Sequence, residues 1–123
     1  MTLLIAVVRR EVHAGGQRRV DVPLEASREL AGPEAWRTAV YGCDVARQLG
    51  ATLLPSLADG NVSVEGDDID RLEREVDLPE GAIAELCPEP SLRESLRVRL
   101  DNIRFACRVA RDIGDPTAAV EIG

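Results

Sequence analysis

Residues 3–8 form a continuous apolar run inside a stretch, residues 2–12, that reads as a β-strand, and the run suits a central strand covered on both faces. Gly15-Gly16 turns the chain, and residues 18–22 alternate as the return strand of a hairpin that Pro23 ends. Residues 24–32 show no period and read as a surface connection. Pro33, placed for a first helical turn behind Gly32, predicts a helix over residues 33–50 with Gly50 as its C-terminal cap; Gly42 interrupts it, giving two short helices or a kink. Residues 51–57 are apolar but contain Pro55, which makes them an irregular buried segment or an edge strand.

After the Asp59-Gly60 turn, residues 61–65 alternate as a strand. Asp67 then caps a helix with Ile69, Leu72 and Val76 on one face, Pro79 closes it, and residues 80–87 supply another turn or two. Ser91 and Glu94 form a capping box for the longest helix, which runs to Ile113 with Gly114 behind it and Pro116 beyond. Residues 117–122 read as a last strand with Val120 and Ile122 on one face, and no tail follows it to carry targeting or binding. The order β-β-α-β-α-α-β predicts a single α+β domain over residues 1–123. It would hold one mixed or antiparallel sheet of about four strands, with three to four helices packed mainly on one face. No internal repeat or low-complexity stretch suggests a second domain.

Stepped at about 100° per residue, the longest helix separates into three stripes. Leu92, Leu96, Leu100, Ile103, Cys107 and Ala110 make the core face. Val98, Phe105 and Val109 make a smaller apolar stripe nearly opposite, to be covered either by the segment 24–32 or by a second copy in a homodimer. Arg93, Arg97, Arg104, Arg108 and Arg111 fall within roughly 60° of one another between them. Five like charges on one ridge repel unless neutralised. Either the acidic helix after Asp67 pairs with them inside the chain, or they grip carboxylates or phosphates of a ligand or partner, for which arginine forks are suited.

Composition narrows the chemistry. The chain is 45% hydrophobic and 30% charged with a net charge of −7, an ordinary globular balance that disfavours nucleic acid and anionic lipid as partners. The apolar run at residues 3–8 is too short to span a bilayer and lacks the flanks of a secretory signal, so a cytoplasmic protein with no membrane contact is expected. The only aromatics are Trp36, Tyr41 and Phe105, too few for a base-stacking platform; Trp36 and Tyr41, so scarce, are candidates for anchoring a ligand or partner. All 15 basic residues are arginine, in line with the Ala-, Gly- and Val-rich composition of a GC-rich genome, and without lysine neither a Schiff base nor a phosphate-loop lysine is available.

The single histidine, His13, sits in the hairpin turn. Cys43, Cys87 and Cys107 are odd in number and widely spaced, which argues for buried free thiols rather than disulfides or structural zinc. The acids from Asp59 to Asp70 faintly resemble a calcium loop but put Val64 where the turn glycine belongs. Cys43-Asp44, following Tyr41-Gly42, is the one reactive-looking cluster, and nothing adjacent in sequence would activate that thiol.

No catalytic residue, metal ligand or cofactor is therefore expected. In size and charge alone the chain resembles the small acidic bacterial proteins that bind another protein, immunity proteins among them. The function expected is a non-catalytic protein-binding domain, an inhibitor or accessory factor whose partner is another protein or a second copy. The alternative is a binder of a small anionic ligand, or a minor enzyme, using the arginine ridge or the surroundings of Cys43.

Overall fold

The computed structural model describes all 123 residues. The fold is α+β, with a five-stranded sheet in which every pair is antiparallel. Strands β1 (Thr2–His13) and β2 (Gly16–Val22) form the hairpin, β4 (Val62–Glu65) and β5 (Ala119–Ile122) the other side, in the order β2-β1-β5-β4. The remaining strand, β3 (Leu30–Pro33), pairs with the first residues of β1, with a shift in register between Leu3 and Leu4.

Side chains alternate across β1, and its two faces meet different surroundings. Leu3, Ile5 and Val7 join Val120 and Ile122 of β5 and Val62 and Val64 of β4 in the hydrophobic core. Against this face lies α5 (Pro90–Asp112), whose Leu96, Leu100, Ile103, Cys107 and Ala110 are all buried there. The stripe read from the 3.6-residue period is the stripe the sheet covers, except that Leu92, one turn from the helix start, is exposed. Helix α2 (Asp67–Glu75) adds Ile69 and Leu72 to the same core. No element covers the opposite face, where Leu4 is half exposed and Ser63, Glu65, Arg10 and Val12 are exposed. The expectation that β1 is covered on both faces is thus corrected: Leu4, Ala6 and Val8 are apolar but have only neighbouring side chains above them.

Residues 24–50 depart furthest from the expected pattern. A 3₁₀ turn, Ala26–Glu29, and β3 replace the surface connection, and Pro33 ends a strand instead of starting a helix. One turn of π-helix, Arg37–Tyr41, and the short helix α1 (Asp44–Gln48) follow, the two short helices that the interruption at Gly42 allowed, with Gly42 at the break. Gly42 marks that break for a steric reason, since a Cβ there would run into Ala58 and the Arg37 carbonyl. The cause is tertiary. Tyr41 is buried and its hydroxyl donates to the Ala31 carbonyl at 2.6 Å, while Asn102 of α5, also buried, donates to the carbonyls of Ser27 and Leu30 at 3.0 and 2.9 Å. These bonds satisfy backbone groups that an irregular segment would otherwise bury unpaired. Residues 51–57 are irregular and buried, with Leu54 and Leu57 in the core and Pro55 opening a 3₁₀ turn, Pro55–Ala58. The buried carboxylate of Glu75 accepts the Leu54 amide at 2.8 Å and anchors that turn.

Two caps also differ from expectation. Gly66, at φ 57°, precedes α2 where Asp67 was expected to cap it, and α5 begins at Pro90 without a side-chain cap, so Ser91 and Glu94 form no box. In both cases the first turn stands at the surface, where water satisfies the free amides. Two further short helices, α3 (Asp77–Gly81) and α4 (Ile83–Leu86), complete the helical layer; Pro79 lies inside α3 instead of closing α2.

Gly32 joins these parts. It holds φ 114° in β3, and a Cβ there would collide with the ring of Trp36, which packs directly on the glycine. Gly32→Ala combines a forbidden backbone angle with a steric clash and is expected to cost about 3 kcal/mol or more in a urea titration.

Candidate functional site

Two surfaces concentrate features beyond folding: the groove beside the arginine ridge and the uncovered sheet face. The ridge lies along α5 where α2 packs beside it and α3 reaches it through Asp77 and Glu80. Arg104 reaches Asp77 at 2.6 Å and Glu80 at 3.0 Å, and Arg111 holds Asp70 at 3.2 Å together with Glu73. Arg97 sits 3.6 Å from Glu94, one turn back on the same helix. Arg93 donates to the carbonyls of Cys87 and Pro88 at 2.9 and 3.0 Å, closing the end of α4. Arg108 alone of the ridge has no partner. It faces Arg74, also unpaired, across an open groove of about 390 Å³ lined by no hydrophobic residue.

Four arginines, Arg74, Arg104, Arg108 and Arg111, line the groove with three acids, Asp70, Glu73 and Asp77, and Glu80 adjoins it through Arg104. The acids beside the ridge pair with two of its five arginines, Arg104 and Arg111. Burial opposes the charge on Arg104, but hydrogen bonds to Asp77 and Glu80 outweigh it and hold the guanidinium more firmly protonated than usual. These pairs differ in value because they differ in exposure. The Arg104 side chain is 15% exposed and that of Arg111 46%, so water screens the second far more.

The second apolar stripe is largely used inside the chain. Arg28, from the turn before β3, lies 4.5 Å above the centre of the Phe105 ring, a cation–π contact, and itself pairs with Asp101. Val109 packs against the core, and Val98 remains exposed beside a cleft that also contains Arg97. Of the aromatics proposed as anchors, Tyr41 and Trp36 are buried edge to face with ring centres 6.2 Å apart, in the core instead of at a surface. Neither lines any of the five principal clefts, and neither does Cys43. The Cys43 thiol donates to the Val40 carbonyl at 3.2 Å. Burial pushes the Cys107 thiol up to about 12 and raises Cys87 as well, the reverse of what a nucleophile requires. His13 stands at the hairpin tip 3.4 Å from Glu11, with no thiol or hydroxyl partner.

The uncovered sheet face was not foreseen from sequence. Leu4, Ala6 and Val8 of β1 and Ala119 of β5 form its apolar centre; Val8 and Ala119 are buried yet stand apart from the main core. Arg19 of β2 reaches over β1 to Glu121 of β5 at 2.8 Å and divides the face into two shallow clefts of about 370 and 300 Å³. Arg10 and Gln17 edge one cleft, Ser63 and Asn61 the other. The sign in the sequence was the unbroken apolar run at residues 3–8: an even-numbered Leu4 and Ala6 in a strand covered on one side leave an apolar strip facing out.

No protein-family model, curated protein or solved structure matches this chain. No helix is long and apolar enough to cross a membrane.

Two measurements check this geometry. Arg104→Ala should lower stability by about 1–2 kcal/mol, and Arg111→Ala by less than about 1 kcal/mol, with only the Arg111 effect fading as salt is added. Because raised thiol pKa values keep the thiolate fraction small, Cys87 and Cys107 should label slowly with a thiol reagent at pH 8 until the chain is unfolded in guanidinium. Fast native labelling of both would contradict their burial.

Proposed function

We infer that the protein is a non-catalytic protein-binding domain that presents the uncovered face of its sheet to a partner protein. The observation that carries this reading is the apolar strip of that face, where Leu4 and Ala6 are open to solvent and Val8 and Ala119 lie beneath the Arg19–Glu121 pair that crosses it, with Arg10 and Glu65 exposed on the same face. Solvent-facing apolar side chains bordered by charged groups suit a protein interface, with the apolar groups supplying affinity and the charges register. The partner that fits has an aliphatic surface and a more basic charge than this chain, since a net charge of −7 attracts basic partners over distance. The role is that of an inhibitor or accessory factor, with the partner carrying any chemistry.

Reading the ridge as a grip for anions has less support. Arg93, Arg97, Arg104 and Arg111 already have partners, which leaves only Arg74 and Arg108 of the groove without one. Elsewhere on the ridge an entering anion would have to displace carboxylates held in place by the fold.

Leu4→Arg tests the proposal without touching the core, because Leu4 is 50% exposed and points away from α5. Immobilised wild-type protein should retain a partner from cell extract at physiological salt, and the variant should lose it while melting at an unchanged temperature. The same proteins retained by both would remove this face from consideration.

A further inference from the structure

In β1 the backbone amide of Leu4 donates to Gly123 at 3.0 Å and that of Arg10 to the Thr117 hydroxyl at 2.9 Å, both towards β5. Even-numbered residues of β1 therefore turn their amides to β5, and odd-numbered ones turn theirs to β2. Opposed residues in an antiparallel pair alternate between bonded and non-bonded, so Val7–Val22, Arg9–Val20, Glu11–Arg18 and His13–Gly16 are the bonded pairs. Gln17, Arg19 and Asp21 are left with N–H and C=O groups directed out of the sheet, along an edge that no strand occupies.

This edge lacks most of the usual defences. The register of β2 runs from Gly16 to Val22 without a bulge, so the edge stays regular over seven residues. The opposite edge, β4, is only four residues long. Charged side chains do mark β2, but they are arranged to suit one another. An antiparallel second copy can bond to the outward groups only where odd-numbered residues oppose odd-numbered ones. Centring on Arg19 sets Arg19 against itself, and centring on Asp21 sets Asp21 against itself. Centring on Val20 sets Arg19 of each copy opposite Asp21 of the other, with Val20 meeting Val20 between them.

We propose that β2 is a self-recognition edge, and that two copies join through it in the Val20-centred register. The two Arg19–Asp21 pairs are bonded pairs, so they supply four backbone hydrogen bonds and two opposite-charge contacts across a two-fold axis. Asp21 is available for this: its side chain is 77% exposed and 3.4 Å from its own Arg19, which holds Glu121 more closely at 2.8 Å. Pro23, which has no N–H, ends the ladder on either side, and the pairing uses the only long free edge. The product is a closed pair with strand order β4-β5-β1-β2 continued through its mirror sequence in the second copy, not a growing fibre. The inference goes beyond the binding reading of the sheet face and does not depend on it.

A sedimentation-velocity concentration series on the intact chain tests it, using R19D, D21R and their equimolar mixture. The wild type should convert from monomer to dimer as concentration rises. Each variant alone opposes like charges at both pairs and should need roughly tenfold more protein or greater to dimerise. In the mixture every substituted position meets the opposite charge, and heterodimers should form at the wild-type concentration. That rescue separates edge pairing from misfolding, which mixing cannot repair. A wild type that stays monomeric throughout, or a mixture that associates no better than its components, overturns the proposal. So does a wild-type dimer that Leu4→Arg dissociates, which would assign self-association to the face. Capture by the face and self-association through the edge are separate readouts, so either can fail alone.

Discussion

Burial of one stripe of α5 against the odd-numbered face of β1 is the contact on which the other features depend. A chain of 123 residues supplies one long helix, and that helix covers one side of one sheet. Leu96, Leu100, Ile103 and Cys107 meet Leu3, Ile5, Val7 and Val120 there, and α2 and the irregular segment around Leu54 and Leu57 close the sides of the same core. No helix formed by these residues packs over the even face of β1. The even face of β1 and the outer edge of β2 are what this one-layer arrangement leaves open.

The charges follow the same logic. With α5 fixed on the sheet, α2 and α3 must pack along its flank, and the acids from Asp70 to Glu80 come to stand beside Arg104 and Arg111. A ridge that would repel itself on an isolated helix becomes one side of an alternating groove. The pairing holds α2 and α3 against α5 where the apolar contact thins towards solvent. Most of its members are exposed, so its contribution is orientation more than stability, with the shielded Arg104 the exception.

The polar interior serves the part of the chain with the least regular structure. Asn102, Tyr41 and Glu75 are buried, and each satisfies a backbone group in residues 24–61 that has no helix or strand partner. Such bonds are worth little beyond the water contacts they replace, but a buried carbonyl left without one is expensive. They make an irregular segment a fixed wall of the core, which is why residues 24–32 can cover Phe105 through Arg28.

Periodicity located the strands that became β1, β4 (Val62–Glu65) and β5 (Ala119–Ile122) and the core stripe of the long helix, while the Gly15-Gly16 turn placed the hairpin and Gly114 the end of the helix. In β1, β4, β5 and α5 one face is buried, so the period of apolar residues records the geometry directly, whereas β2 has no buried residue. It also determined that the five arginines share a ridge, a consequence of helical spacing. In residues 33–50 the break at Gly42 was legible but the start was not, because Pro33 is sound helix punctuation and only the Trp36 contact with Gly32 and the Tyr41 bond to Ala31 override it. The caps at Asp67 and Ser91 failed for a related reason: exposed first turns can take water instead of a side chain. The tertiary structure alone decided which acids meet the ridge, that Trp36 and Tyr41 lie inside, and that β1 has helices on only one side. An apolar run in a strand states that both faces avoid polar groups; which face the helices cover is decided by where they pack, and that is set by contacts distant in sequence.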